Sequence, residues 1–254
     1  MVWPETALPY TVDEDTSYLV NLAKEAKVTI LVGAFTRTED SPQYNSIACF
    51  LPDGTMHDTV YVKRRLVPFG EFVPMRGLIE TLIPPLADLV MSGGDVGWGE
   101  DPNVFVLEQG SVGSLICFDS IYEDLTRESV REGAELICLS TNDSWFTDSA
   151  ALYMHNAQAQ LRAIESGRYV VRAANTGIST IISNRGEVIC QLEPLVDGML
   201  VENVEIREDR TLYTAIGNFF VYFCGIVSFV LVVEDLVCRI LQKCRERENR
   251  LDRK

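Results

Sequence analysis

The sequence predicts an α/β layered fold followed by one membrane-spanning helix. Three observations carry this. Short apolar runs of strand length alternate with segments of helical periodicity. Three of those runs, at 28–35, 115–117 and 136–139, are apolar without alternation, as in strands covered on both faces. A charge-free stretch at 216–233 is about long enough to cross a bilayer.

Along the chain, residues 13–27 read as a helix with Leu19, Leu22, Ala23 and Ala26 on one face. Residues 28–35 read as a strand. Residues 46–51 and 59–62 read as two more, joined by a turn at Pro52-Asp53-Gly54. A long irregular stretch rich in Pro and Gly occupies 64–103. Strands follow at 104–107 and 111–117, then a helix from about 121 to 132, closed by Gly133. Residues 135–140 form a strand and 150–168 the longest helix. Strands return at 169–173, 179–183 and 187–192, with a turn at Asn184-Arg185-Gly186, and 200–206 closes the domain. There is no repeat, no low-complexity tract, and no strand or signal peptide ahead of Trp3.

The 254 residues, 47% hydrophobic and 23% charged, suffice for one sizeable core. A net charge of −15 argues against nucleic acid as a partner, since phosphate binding needs surplus Lys and Arg. The seven cysteines have no CxxC spacing, and most lie in apolar runs; six of them are expected to be small buried hydrophobes rather than disulfides or metal ligands. Two histidines, 57 and 155, make a His-rich metal site improbable, so neither metal nor cofactor is expected.

The apolar stretch also fits a buried core helix, but it follows a finished polar domain and is apolar all round. Beyond it, seven Lys/Arg (239, 243, 245, 247, 250, 253 and 254) face three acids (246, 248 and 252). By the positive-inside rule the tail 238–254 is cytoplasmic, and the acidic domain lies on the other side of the membrane.

Cys117 is the focal residue. It ends an apolar strand just before a helix, where a side chain is held out of the sheet and a helix N-terminus lowers a thiol pKa. An inert buried cysteine fits the same pattern. Lys63 follows the strand at 59–62 and leads into Arg64-Arg65-Leu66-Val67-Pro68-Phe69-Gly70-Glu71-Phe72-Val73-Pro74. Rigid Pro and Gly positions around a Lys and a Glu suggest a backbone shaped for a site, with Glu71 as the carboxylate a buried ammonium needs. A basic surface turn is the alternative. Glu5, between Trp3-Pro4 and Pro9, sits in a stiff apolar loop that suits a general base or an ordinary loop acid.

Together, Trp3-Pro4-Glu5, then Tyr61-x-Lys63-x-x-Leu66-Val67-Pro68-Phe69-Gly70-Glu71, then Leu115-Ile116-Cys117 resemble the Glu-Lys-Cys triad of the nitrilase superfamily. The chain is more closely similar to the C-terminal catalytic domain and last helix of the apolipoprotein N-acyltransferase family. Residues 140–146, His155, 162–165 and 172–179 add to the likeness, which runs from about residue 2 to 235.

The resemblance implies an αββα sandwich of the nitrilase type over residues 1–212, a transmembrane helix at 213–237 and a basic cytoplasmic tail at 238–254. It implies a bacterial inner (cytoplasmic) membrane location with the catalytic domain on the periplasmic side. The activity implied moves an acyl chain from a phospholipid, through a Cys117 thioester, to the N-terminal amine of a diacylglyceryl-cysteine lipoprotein. Glu5 would be the base, Lys63 the oxyanion stabiliser and Glu71 the acid that orients the lysine, with Trp3 in support. The family has Tyr then Glu after the nucleophile; Phe118 and Asp119 stand there in this chain, so the site is expected to be retuned.

The family also carries several membrane helices and a first strand–helix unit before Trp-Pro-Glu. The sequence begins at that motif, as expected of a fragment, a split gene or a trimmed product. The apolar series at 74–95 is expected to dip into lipid, with Leu82, Ile83 and Trp145 as substrate contacts; a packed surface helix is the alternative. The same triad also serves a nitrilase-type amidase cleaving small carbon–nitrogen bonds. An inactive membrane-tethered fragment remains the third reading.

Overall fold

A computed structural model describes residues 1–13, 15–37, 42–82, 85, 96–147 and 149–251, without the side chains of 243–251. The chain divides into two compact units, Met1–Thr214 and Ala215–Lys254.

In the first unit, β1 (Ile30–Thr36), β2 (Tyr44–Phe50) and β3 (Tyr61–Val62) form an antiparallel sheet. The second sheet has the order β4 (Phe105–Leu107), β5 (Gly110–Ile116), β6 (Leu136–Asn142), β7 (Val170–Asn175), β8 (Thr180–Ile182) and β9 (Val188–Gln191). Its centre, β5-β6-β7, is parallel and its flanks are antiparallel. Parallel neighbours need crossover helices, and α3 (Glu123–Arg131) and α4 (Ala150–Ser166) supply them.

The period-2 alternation of each strand builds the layers. In β1 and β2, Ile30, Val32, Ala34, Ala48 and Phe50 point outward and bury Leu19 and Ala23 of α1 (Ser17–Ala26). In β5 and β6, Leu115, Ile137 and Leu139 point the other way, against Leu125, Val130, Ala159 and Ala163 of α3 and α4. The alternate residues Leu31, Ile47, Cys49, Ile116 and Cys138 meet between the sheets with Tyr61, Phe105 and Val112. The result is the expected αββα sandwich. A fully buried Leu or Ile is worth about 1.5–3 kcal/mol, so the sheets are held by three such cores rather than by one.

Several expectations change in detail. Within the irregular stretch, Arg76–Leu82 form a short helix, α2, with no buried residue; much of the rest of the expected lipid arm, including Ile83, lies outside the described residues. The start of the chain is not loose. Val2 bridges Leu31 in parallel, Trp3 N–H donates to Leu31 O and Ala7 N–H to Gly33 O, so residues 1–7 run along β1. The helix expected from 121 begins earlier, as a 3-10 turn over Cys117–Ile121, before α3. Residues 200–206 close the unit as irregular chain outside both sheets.

A short helix, Leu212–Ile216 (α5), precedes α6 (Phe219–Leu251), which dominates the second unit. Its portion Phe219–Gln242 is long and apolar enough to cross a membrane, and none of it is buried. At about 1.5 Å per residue it spans about 36 Å, against about 30 Å of bilayer hydrocarbon. The helix continues without a break through the first part of the basic tail. Cys224 and Cys238 lie exposed on it and Cys190 is half-buried, so the expectation of buried small hydrophobes holds only for cysteines such as Cys49 and Cys138. Over Phe219–Gln242 the side chains are exposed, so that span offers no protein core in which to hide a thiol.

Candidate active site

Parallel sheets of this kind offer sites beyond the carboxyl ends of their strands, where loops converge. Cys117 follows β5 there, and Asp143 follows β6. Cys117 adopts φ 48°, a left-handed conformation that turns the chain sharply from strand into 3-10 turn; the residue is 9% exposed.

Lys63 enters from the other sheet, just after β3. It is 1% exposed, and its Nζ lies 2.8 Å from Glu71 Oε1 and 3.1 Å from Glu5 Oε1. The basic-turn alternative therefore falls. Arg64 and Arg65 turn to Glu128 and Asp124 of α3, while Lys63 points inward. Glu71 is fixed by its second oxygen, which accepts from Val67 N–H at 2.8 Å. Glu5 is fixed by Asn142 N–H, 2.7 Å from Oε2. Asn45 Nδ2 donates to Glu5 Oε1 at 2.6 Å and to Glu71 Oε1 at 3.1 Å. Burial opposes the Lys63 charge, but Glu5, the Cys117 sulfur and Glu71 together hold its pKa above the ordinary lysine value. The cluster thus favours the ammonium form.

Glu5 reaches this position because Gly33 of β1 has no side chain. A Cβ there would stand 2.4 Å from Pro4 O and 2.6 Å from Glu5 Cα. Gly33→Ala is expected to push the Pro4-Glu5 backbone off the sheet. Displacements of about 1 Å can cost about a hundredfold in rate, so Cys117 reactivity toward a small electrophile should fall at least tenfold while circular dichroism stays unchanged.

The sequence expectation of a lowered Cys117 pKa is overturned. Burial, then the Glu5 carboxylate, push the thiol up to about 12, and Lys63 and a hydrogen bond with Thr141 oppose this only in part. The reason is local. Cys117 opens a five-residue 3-10 turn rather than a long α-helix, so little dipole acts on it, and two carboxylates, Glu5 and Asp143, act on the sulfur from inside the site.

Among the supporting residues, Asp119 is fully buried and accepts from Tyr61 OH, Ile116 N–H, Arg64 N–H and Arg65 N–H. It ties the chain carrying Lys63 to the Cys117 elbow. The Phe118 ring meets Tyr122 edge-on at 5.5 Å. Trp3 acts through its backbone. Its carbonyl accepts from Ser140 Oγ at 2.8 Å, while its ring packs toward α1. Trp145 is 58% exposed and Leu82 67%, so both stand at the surface rather than in the buried cluster.

Sequence reasoning passed over Asn45, and it counted Asp143, His155 and Arg172 in the family likeness without giving them a role. His155 Nδ1 lies 2.8 Å from Asp143 Oδ1, and Arg172 Nη2 lies 2.5 Å from Asp143 Oδ2. Burial works against the Asp143 carboxylate, yet His155 and Arg172 hold its pKa below the ordinary aspartate value. A charged residue inside the apolar run 169–173 was the readable signal for Arg172. Cys117 Sγ, an Asp143 oxygen and a His155 nitrogen lie within 4.8 Å of one another, a spacing a metal could use. Asp143 and His155 are already engaged with each other, and Arg172 supplies the positive charge beside them.

An acid, a fixed ammonium and a thiol in one buried cluster can carry acyl transfer through a covalent thioester. Comparisons agree with the geometry. The chain is 34% identical to an apolipoprotein N-acyltransferase of Geobacter metallireducens over 94% of this chain and 46% of that protein. It is 35% identical to one of Gloeobacter violaceus over 86% of this chain and 42% of that protein. The chain thus spans about half the length of the curated relatives it matches. Among solved structures, a carbon-nitrogen hydrolase of Helicobacter pylori superimposes with a TM-score of 0.62 at 15% identity, over 76% of this chain and 73% of that one. The sequence profile described as carbon-nitrogen hydrolase matches residues 1–210, and the chain belongs to that family.

Proposed function

We propose that this chain carries the catalytic half of a lipoprotein N-acyltransferase, with Cys117 as nucleophile, Glu5 as general base and Lys63 as oxyanion stabiliser. The observation that carries the reading is the buried Glu5–Lys63–Glu71 cluster facing a thiol whose pKa is far above neutral. Such a thiol is protonated when substrate arrives and needs a base at hand. Of the carboxylates whose charge acts on the sulfur, Glu5 acts most strongly; the other, Asp143, is held by His155 and Arg172.

In this reading Glu5 takes the Cys117 proton as sulfur attacks the ester carbonyl of a phospholipid. The carbonyl oxygen becomes an oxyanion beside the Lys63 ammonium. Collapse breaks the acyl C–O bond, and the leaving alkoxide takes the proton back from Glu5. The thioester on Cys117 then meets the α-amine of a diacylglyceryl-cysteine lipoprotein. Nitrogen attacks, Glu5 accepts a proton, the C–S bond breaks and the sulfur is reprotonated. Glu71 and Asn45 orient Lys63 and Glu5, and no cofactor is required by any step.

The relatives named apolipoprotein N-acyltransferase support the lipid substrates, and the apolar span of α6 supports a membrane anchor. The surplus of Lys and Arg after that span supports a cytoplasmic tail at 238–254, and with it a crossing at 213–237 and residues 1–212 on the periplasmic side of a bacterial inner membrane. Trp145, Leu82 and Ile83 are proposed as lipid contacts, and exposure of the first two fits that role.

Intact mass of the detergent-purified protein after exposure to a diacyl phospholipid tests the reading. A hydroxylamine-sensitive gain of one acyl chain is expected, absent in Cys117→Ala. A folded protein that gains no acyl chain overturns it and returns the amidase reading to first place.

A further inference from the structure

The Cys117 elbow holds a conformation that a cysteine does not adopt unaided. A φ of 48° costs a residue with a Cβ about 1–2 kcal/mol and persists only where surrounding bonds enforce it. Two groups converge on its carbonyl oxygen. Ser120 Oγ donates from 2.8 Å and His155 Nε2 lies 3.1 Å away. A carbonyl oxygen can only accept, so this contact is made with Nε2 as the donor.

Behind His155 stands a buried chain of contacts. Asp143 Oδ1 meets Nδ1 at 2.8 Å and accepts from Thr141 Oγ1 at 3.1 Å. Asp143 Oδ2 accepts from Arg172 Nη2, whose Nε donates to Ile178 O at 3.0 Å. The carboxylate cannot swing away, because it packs on the backbone at Gly177, where a Cβ would stand 2.1 Å from Oδ2. His155 comes from α4, Asp143 from the end of β6 and Arg172 from β7. Three elements of the second sheet layer thus converge on one carbonyl.

We infer that His155, held by Asp143 and Arg172, is a positioning residue that fixes the Cys117 carbonyl and so aims the sulfur at Glu5 and Lys63. It does not itself take the thiol proton. Its ring nitrogens are committed to Asp143, Ser120 and the Cys117 carbonyl. The inference rests on Cys117 being the nucleophile.

The test separates aim from folding. The full chain in detergent is titrated with iodoacetamide to count reactive Cys117 by peptide mass, and the alkylation rate constant is measured per reactive site. Thioester formation is then followed against phospholipid concentration. In His155→Ala the rate constant per reactive site should fall about tenfold or more for both reactions. The half-saturating lipid concentration should hold, because lipid binding is untouched. His155→Gln, whose amide N–H can still reach the carbonyl, should recover most of the rate. A purely structural histidine would lower the reactive fraction and leave the rate constant per site alone, which overturns the inference. Equal rates in His155→Gln and His155→Ala overturn it too. Alkylation needs no lipid, so a wild-type protein that alkylates at Cys117 but forms no thioester counts against the acyltransferase reading and leaves the positioning result standing.

Discussion

Under the proposed acyl transfer, Lys63→Met should slow thioester formation about a hundred- to a thousandfold and lower stability in one substitution. The ammonium is 1% exposed and lies between two carboxylate oxygens at 2.8 and 3.1 Å. Removing it leaves Glu5 and Glu71 side by side in a buried site, with Asn45 Nδ2 as their shared donor. Taking one partner from a buried ion pair typically costs about 3–5 kcal/mol, because the stranded charge has lost both water and its counter-ion. The chemical loss is separate. An oxyanion donor is worth about a hundred- to a thousandfold in rate. Urea unfolding followed by circular dichroism reads the first effect, and acyl-adduct mass on the still-folded fraction reads the second. Lys63→Arg is expected to rescue neither, since a planar guanidinium does not fit a space shaped around one ammonium. Wild-type unfolding by Lys63→Met would mean that the cluster is hydrated in solution, and a wild-type adduct rate would remove Lys63 from the chemistry.

The strands were legible because both their faces are covered. Ile30 to Ala34 and Leu136 to Leu139 are apolar at every position, and only a sheet between two layers demands that. Pro and Gly around Glu5, Lys63 and Glu71 marked them as candidates but left a loop acid and a basic turn open; their order ahead of Cys117, resembling the Glu-Lys-Cys triad, is what joined them. What the sequence hid depends on contacts made far along the chain. The segment of residues 1–7 carries Pro4 and no alternation, yet it lies on β1 because Gly33 leaves room for it. Asn45 reads as one polar residue at the start of a strand; only the register of β2 against β3 puts it between two carboxylates. His155 sits on the longest helix among ordinary polar neighbours, and nothing local says that it reaches Cys117. The thiol pKa was misread for the same reason. A strand–helix junction can be seen in one dimension, whereas the burial and the facing carboxylate that outweigh it cannot.

Asp119 should give the protein a pH dependence that Asp119→Asn lacks. Burial pushes its carboxyl up from 3.8 to about 6, against the opposing pull of Lys63 and of the bonds from Ile116, Tyr61 and Arg65. The folded state therefore holds the proton more tightly than the unfolded chain does. The stability this contributes is complete below about pH 4 and is lost as the pH rises through about 6. Two pKa units correspond to about 3 kcal/mol, at about 1.4 kcal/mol per unit. Other carboxylates titrate in the same range, so the quantity to measure is wild-type minus Asp119→Asn unfolding free energy, which should fall across pH 4–6.

Reactivity should run the opposite way. The ionised carboxylate can accept from Tyr61 OH, Ile116 N–H, Arg64 N–H and Arg65 N–H together, whereas the protonated form brings a hydrogen of its own among four donors. The clamp between the Lys63 chain and the Cys117 elbow is thus complete only above about pH 6, where the stability that Asp119 contributes is lost. Alkylation of Cys117 should rise through that pH in the wild type and show no such step in Asp119→Asn. Parallel profiles in the two proteins would mean that Asp119 stays ionised throughout, with its four donors outweighing burial. In that case Asp119 would act through geometry alone.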